Sequence, residues 1–161
     1  MHGIRFAQEA DVPEIFKLIR ELAAYEKLTH EVIATEGDLR RYLFGSTRCA
    51  EVLLAEVPEG VAGFALFFHN FSTFVGRPGI YLEDLFVRPA YRRRGIGRSL
   101  FQRLAQIAID RQCGRLEWAV LDWNTPAWDF YRSLGACPLT EWTIHRLTDE
   151  SIRRLAQSTV G

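Results

Sequence analysis

Residues 82–101 read LEDLFVRPAYRRRGIGRSLF, and this stretch decides how the rest of the chain is interpreted. It starts as an apolar strand interrupted by two carboxylates, passes a proline turn and three arginines, and reaches two glycines one residue apart. From Ile96 onward the apolar residues recur at helical spacing. A strand that leads through a glycine loop into a helix can bind an anion, because the first N–H groups of a helix are unpaired and its dipole is positive there. The stretch therefore predicts a phosphorylated ligand.

Length and charge indicate one folded domain without a nucleic-acid or membrane partner. The 161 residues are 48% hydrophobic and 25% charged, which is ordinary for a folded protein. We expect a single domain over residues 1–161. The formal net charge is zero, so no overall attraction to nucleic acid or to an anionic membrane is expected.

The cysteines and the N-terminus indicate a cytoplasmic protein. Cys49, Cys113 and Cys137 are an odd number, lie far apart and form no CxxC pair. This pattern argues against a disulfide framework and against a zinc site. The N-terminus lacks the features of a signal peptide, and no window is apolar enough to span a bilayer. We expect a cytoplasmic location and no metal.

Sequence periodicity predicts one α/β (α+β) domain with a mixed sheet. Strands are expected at about 3–7, 50–57, 62–71, 80–88, 116–121 and 137–147, with a loop at 75–79. Helices are expected at about 12–25, 35–44, 95–112, 124–134 and 149–156, the first opened by Asp11 and Pro13 and the second by Thr35. Strand alternation would place Glu83 and Asp84 on opposite faces of the fourth strand.

The glycine loop excludes two common nucleotide motifs. A dinucleotide fingerprint would need a third glycine at position 100, which is Leu100, and the GK[ST] sequence of a P-loop is absent. Considered alone, the loop is equally consistent with an ordinary helix start beside solvated arginines.

The wider pattern is more specific. Arg92-x-x-Gly95-x-Gly97 follows directly after Leu85-Phe86-Val87-x-Pro89-x-Tyr91, and a second signature, Asn124-x-x-Ala127-x-x-Phe130-Tyr131-x-x-x-Gly135-Ala136, lies one helix and one strand later. Together these motifs resemble the GNAT superfamily of N-acetyltransferases. The resemblance covers nearly the whole chain and implies a mixed, mostly antiparallel central sheet flanked by helices.

Within that superfamily the chain looks most like the diamine acetyltransferases, which acetylate spermidine, spermine or thialysine. The narrower match is carried by Glu21-Leu22-Ala23-x-Tyr25-Glu26, Tyr81-Leu82-Glu83-Asp84-x-Phe86-Val87, Tyr91-Arg92-x-x-Gly95-Ile96-Gly97 and Trp123-Asn124-x-Pro126-x-x-x-Phe130-Tyr131.

The resemblance implies acetyl-CoA as co-substrate. The backbone of the fourth strand would pair with the pantetheine amides and bond the thioester carbonyl, and the loop would cradle the pyrophosphate. The implied cofactor-binding residues are Leu85, Phe86, Val87, Arg92, Arg93, Arg94, Gly95, Ile96, Gly97, Arg98, Asn124, Pro126, Ala127 and Tyr131. For Asn124, a helix N-cap is an equally sufficient explanation.

The resemblance also implies two catalytic residues and an acidic amine site. Tyr131 would be the general acid that protonates the leaving thiolate, and Glu83 would take a proton from the amine through water. Tyr25, Glu26, Glu83 and Asp84 would bind the cationic substrate. The alternatives are a buried helix tyrosine for Tyr131, an arginine-paired surface carboxylate for Glu83, and a solvated helix end for Tyr25 and Glu26.

The sequence thus predicts an acetyl-CoA-dependent N-acetyltransferase that acts by direct attack of a small primary amine, which is a polyamine, a diamine or a lysine-like amino acid. The alternatives are acetylation of another metabolite or of a protein amine, and a non-catalytic acyl-CoA-binding sensor. The family resemblance also implies a homodimer, with a candidate interface around Trp142 and Ile144.

Overall fold

Five strands form one sheet in the order β1-β2-β3-β4-β5 in a computed structural model that describes residues 1–158. The strands are β1 Gly3–Phe6, β2 Glu51–Val57, β3 Gly60–Ser72, β4 Arg77–Val87 and β5 Leu116–Trp118. Neighbouring strands from β1 to β4 are antiparallel, and β5 is parallel to β4. The sheet is therefore mixed and mostly antiparallel, as predicted.

The helices fall between the strands and after them. They are α1 Val12–Tyr25, α2 Glu36–Leu39, α3 Ile96–Asp110, α4 Thr125–Ser133 and α5 Asp149–Gln157. A π-helical turn, Arg40–Phe44, continues α2, and 3-10 turns lie at Glu9–Asp11, Thr29–Glu31 and Pro89–Tyr91. By their contacts the residues form two units, Met1–Ala119 and the part from Val120 onward.

In the first unit, α1 covers one face of the sheet. Its apolar positions recur every three or four residues, and they pack with inward side chains of β2, β3 and β4 in one buried cluster. The members of this cluster are Ile15, Leu18, Leu22, Leu43, Val52, Leu54, Phe64 and Phe86. Burying each large apolar side chain stabilises the fold by roughly 1.5–3 kcal/mol. The packing of this cluster therefore holds α1, including its C-terminal end, in place against β4.

The other face of the sheet is covered by α3. The strand register places Leu53 and Ala65 on that face, opposite to Leu54 and Phe64, and both are fully buried. α3 contacts β1, β2, β3 and β4, and its buried residues are Ile96, Leu100, Phe101, Leu104 and Ile107. Helices therefore flank the sheet, which confirms the predicted fold class.

The second unit contains α4, α5 and the segment between them. Asn124 is the N-cap of α4, and Pro126 lies in the first turn. No helix within residues 1–158 has the length and apolar character needed to cross a bilayer.

Several predicted bounds are wrong. The segment 137–147 contains no strand. Its apolar side chains at 139, 142, 144 and 147 do not keep a period of two, and Pro138 cannot donate a backbone hydrogen bond. β5 ends at Trp118 instead of residue 121, β4 begins at Arg77 inside the expected loop, and the helix expected over 35–44 is α-helical only to Leu39.

Candidate active site

β4 loses its β5 neighbour partway along its length. The parallel pairing ends at Leu82 and Trp118, whereas β4 continues beside β3 to Val87. On the edge away from β3, Leu85 to Val87 therefore have no strand partner within the described residues 1–158. Free backbone groups on a strand edge can bind an extended ligand through its amides. This edge is where the sequence predicted the pantetheine chain.

A β-bulge interrupts β4 at Glu83. Leu82 pairs with Phe67 and Asp84 pairs with Leu66, so two steps along β4 match a single step along β3. Paired residues project to the same face and adjacent residues to opposite faces, so Leu82 and Asp84 lie on opposite faces. The regular alternation that was expected to separate Glu83 from Asp84 is therefore absent. The bulge turns Asp84 toward the face that α1 covers, where Leu66 packs against the core.

Two carboxylates of the predicted site, Glu83 and Glu26, act electrostatically on a third, Asp84, at this bulge. Burial, together with the negative charges of Glu83 and Glu26, raises the pKa of Asp84 to about 7. Burial also raises the pKa of Glu26. Glu83 is exposed to solvent. A half-buried carboxylate with negative neighbours favours a cationic ligand, because a bound cation lowers the cost of its ionisation.

Two aromatic residues are close to these carboxylates in sequence, Tyr25 before Glu26 and Phe86 two residues after Asp84, and an arginine lies over both rings. The Cζ atom of Arg92 is 4.6 Å from the ring centroid of Tyr25 and 5.8 Å from that of Phe86. The two ring centroids are 6.5 Å apart, and Arg92 Nε donates to the Val87 carbonyl oxygen at 2.9 Å. The end of α1, the end of β4 and the start of the loop therefore meet at Arg92.

The loop before α3 has a special backbone conformation. Arg93 has φ 61° and Gly95, the N-cap of α3, has φ 79°. The left-handed conformation costs a non-glycine residue about 1–2 kcal/mol, and such strain is often retained where backbone groups must face a ligand. Ile96 is buried and anchors the helix start, while the Cζ of Arg94 lies 5.3 Å from the Tyr91 ring centroid. The loop fits a pyrophosphate, because the free N–H groups at the start of α3 and the arginines Arg92, Arg93, Arg94 and Arg98 lie on one short segment.

The sequence motifs did not predict a role for Arg88, which joins α1 to the end of β4. Its Nε and Nη2 donate to Glu21 at 2.8 and 2.9 Å, and Nη2 also lies 2.8 Å from Glu14. Its Nη1 donates to the Val61 carbonyl at 2.6 Å. The sequence feature that could have indicated these ion pairs is an arginine directly after an apolar strand, together with two glutamates seven residues apart on α1.

The remaining predicted residues lie in the second unit. Asn124 is buried, and its side-chain oxygen accepts a hydrogen bond from Ala127 N at 3.4 Å, so its role as a helix cap is confirmed. Tyr131 is half-buried on α4, with its ring centroid 5.5 Å from that of Phe130. The structure thus brings together the first-unit residues at the bulge and loop, and it places Asn124, Pro126, Ala127 and Tyr131 on or next to α4.

No group of three potential metal-binding side chains occurs in residues 1–158. The chemical groups that the described residues bring to the site are carboxylates, aromatic rings, guanidinium groups and backbone amides. Such a set can hold a cationic chain at one end and an anionic group at the other.

Comparison with known proteins adds independent information. The sequence model of the acetyltransferase (GNAT) family matches residues 13–136. The thialysine N-epsilon-acetyltransferase of Bos taurus is 44% identical over 164 aligned residues, which cover 95% of this chain and 96% of that protein. The L-ornithine N5-acetyltransferase of Arabidopsis thaliana is 34% identical, with 94% and 86% covered. Among solved structures, an integron cassette protein from the mobile metagenome of V. cholerae superposes with a TM-score of 0.81 at 30% identity, with 98% of each chain covered.

Proposed function

Because the chain belongs to the acetyltransferase (GNAT) family and is an N-acetyltransferase, we propose that it transfers acetyl from acetyl-CoA to a primary amine of a small polyamine, diamine or lysine-like compound. The observation that carries the proposal is the acidic cluster of Glu26, Glu83 and Asp84 beside the free edge of β4. Two relatives support it, since they are named for thialysine and ornithine, both amino acids with a terminal side-chain amine.

The donor would bind along β4 and the loop. Those backbone groups of Leu85, Phe86 and Val87 that point to the free edge would pair with the pantetheine amides, apart from the Val87 carbonyl oxygen, which Arg92 Nε already bonds. A backbone N–H of this segment would bond the thioester carbonyl and stabilise the oxyanion that forms on it. The segment from Arg92 to Arg98 would hold the pyrophosphate through N–H groups and guanidinium charges.

The amine would be drawn to the acidic cluster as a cation. The positive group of the substrate that does not react would lie near Asp84 and Glu26. Tyr25 would pack its aromatic face against the methylene chain between the two amines. The reacting nitrogen must be neutral to attack, although a primary amine with a pKa near 10 is almost wholly protonated at neutral pH. Exposed Glu83 is suited to accept that proton through water and release it to solvent.

The chemistry then follows in one acyl transfer. The neutral nitrogen attacks the thioester carbonyl carbon, an amide C–N bond forms and the C–S bond breaks. Tyr131 donates its hydroxyl proton to the departing thiolate. The nitrogen loses two protons in all: one leaves through Glu83, and the other restores Tyr131. The family motif around Tyr131 supports this role.

Release of the free CoA thiol tests the proposal. The protein is incubated with acetyl-CoA and, separately, spermidine, putrescine, thialysine, L-ornithine and a peptide with a lysine side chain. We expect thiol release with at least one small amine and little with the peptide. Tight acetyl-CoA binding without turnover of any amine would contradict the proposal and favour a sensor, whereas turnover of the peptide alone would favour a protein substrate.

Three expectations about the whole chain also remain proposals: a single domain over residues 1–161, a cytoplasmic location and a homodimer. The exposure of Trp142 and Ile144, at 77% and 72%, supports an interface there, because large apolar side chains are usually covered. Light scattering should give a dimer mass for the wild type and a monomer mass for Trp142→Glu. An unchanged mass would remove Trp142 from the interface.

A further inference from the structure

The side chain of Arg92 makes contacts outside its own loop. Its Nε donates to the Val87 carbonyl oxygen, and its guanidinium carbon lies over the rings of Tyr25 and Phe86. A guanidinium over an aromatic ring within about 6 Å is attracted by the ring electrons. Arg92 therefore belongs to the pyrophosphate loop by its backbone and contacts the amine side by its side chain.

The two terminal nitrogens of Arg92 have no carboxylate within ion-pair distance among residues 1–158, and its one side-chain hydrogen bond there is the one from Nε. A guanidinium can bind an oxyanion through two parallel N–H groups while its flat face stays stacked on a ring. An anion bound at the loop can therefore engage these nitrogens and restrict the guanidinium to its place over Tyr25.

Tyr25 lies at the end of α1, where the backbone is strained. The next turn ends in Lys27 with φ 61°, and it is closed by hydrogen bonds from Lys27 N to Ala24 O and from Leu28 N to Ala23 O. The left-handed lysine costs about 1–2 kcal/mol, so this turn is weaker than a glycine-terminated one. Glu26, which acts electrostatically on Asp84, lies inside it.

We propose that Arg92 is a positioning residue that couples the two substrates: an anionic donor bound at the loop fixes Arg92 over Tyr25, which orders the end of α1 and places Glu26 for the cationic amine. The proposal rests on the proposed function and deepens it. Coupling of this kind is reciprocal, so the amine must strengthen donor binding by the same factor as the donor strengthens amine binding.

Hydrogen exchange tests the first half without any turnover. CoA is the probe, at a concentration shown by titration to saturate each variant, and the amides of residues 22–28 are followed. In the wild type, CoA should slow their exchange. Arg92→Gln should lose this effect at saturating CoA. Arg94→Gln is the matched control, because Arg94 lies in the same loop and stacks on Tyr91 instead; it should bind CoA more weakly yet keep the protection once saturated.

Tyr25 variants test the second half by kinetics. Tyr25→Phe keeps the ring beneath Arg92 and should keep the coupling, whereas Tyr25→Leu removes it. With acetyl-CoA saturating, we expect the amine KM of Tyr25→Leu and of Arg92→Gln to rise about fivefold or more, with a much smaller change in kcat. The amine KM of the double variant should be close to that of either single variant, because both substitutions remove the same contact.

The outcomes separate the two proposals. Full CoA-dependent protection in Arg92→Gln, its loss in Arg94→Gln, or additive KM effects in the double variant would each overturn the coupling while leaving amine acetylation intact. Absence of turnover with every amine would overturn the proposed function, even if the exchange results were as expected.

Discussion

Asp84 is the residue whose environment departs furthest from that of a free side chain in the proposed amine site. Burial and two negative neighbours raise its pKa to about 7, so it is partly protonated at neutral pH when no cation is bound. A cationic amine would favour its ionised form. Substrate binding and ionisation of Asp84 are then linked, and kcat/KM should rise with pH as this carboxyl loses its proton.

The same shift makes Asp84 costly to stability above neutral pH. Between the unfolded pKa near 4 and the folded pKa of about 7, the folded chain retains a proton that the unfolded chain releases. Stability therefore falls as the pH rises through this window. Asp84→Asn carries no such cost, so its stability relative to wild type should increase by roughly 2–3 kcal/mol from pH 5 to pH 8. Urea unfolding at the two pH values measures this difference.

Glu59→Gln is the control for that experiment, because Glu59 is an exposed carboxylate in the turn between β2 and β3. Its effect on stability should be small and similar at both pH values. A constant difference between Asp84→Asn and wild type would show that Asp84 is not the buried, proton-binding carboxylate described here.

The proposed acid role of Tyr131 is tested by removing its hydroxyl. Tyr131→Phe should lower kcat about a hundredfold or more, because a positioned acid contributes a factor of that order, and should leave the amine KM nearly unchanged. Steady-state kinetics across pH measures both. Tyr42→Phe removes a hydroxyl from an exposed tyrosine of the π-helical turn and should have no effect. Wild-type kcat for Tyr131→Phe at every pH would exclude the role.

Among the elements, the sequence predicted α1, the end of β4, the loop before α3 and α3 nearly to their bounds. Each has a strong local signal: helical periodicity, an apolar run, or a glycine at the start of a helix. The bulge at Glu83 could not be predicted, because it exists only in the pairing of β4 with β3. The predictions of a longer β5 and of a strand at 137–147 were wrong for a related reason. Apolar residues favour a strand, but a strand forms only where a neighbouring strand is available to pair with it.

The end of α3 offers a test of local backbone strain away from the site. Gln112 has φ 56°, and its turn is closed by hydrogen bonds from Gln112 N to Ile109 O and from Cys113 N to Ala108 O. Glycine is favoured at this position of a helix end. Gln112→Gly should therefore stabilise the protein by about 1 kcal/mol and raise Tm by about 2–4 °C.

Gln102→Gly serves as the comparison, since Gln102 is exposed within α3. There glycine only adds freedom to the unfolded chain and should lower stability by about 1 kcal/mol. Thermal unfolding of both variants measures these two opposite changes in Tm. A lower Tm for Gln112→Gly would show that the left-handed conformation is not a source of strain.

At the scale of the whole molecule, the first unit brings α1, β4 and the loop together at one place. Most of the residues that meet there were predicted site residues, since Tyr25, Glu26, Glu83, Asp84 and Arg92 each lie in a motif. The sequence did not identify Arg88, whose ties to Glu14, Glu21 and Val61 depend on the packing of α1 over β4. It also gave Arg92 only a loop role, because a side chain stacked on a residue 67 positions earlier leaves no local pattern.

The acidic cluster at the β4 bulge is proposed to select amines with a second positive charge. The most direct measurement is kcat/KM for the fastest diamine and for the monoamine of equal chain length, such as putrescine and butylamine, in wild type and Asp84→Asn. The two amines present the same reacting group and differ only at the far end.

Wild type should prefer the diamine by at least about tenfold, the value of one charge-assisted contact, and Asp84→Asn should lose most of this preference. Equal kcat/KM for the two amines in wild type, or an undiminished preference in Asp84→Asn, would contradict the proposed selection.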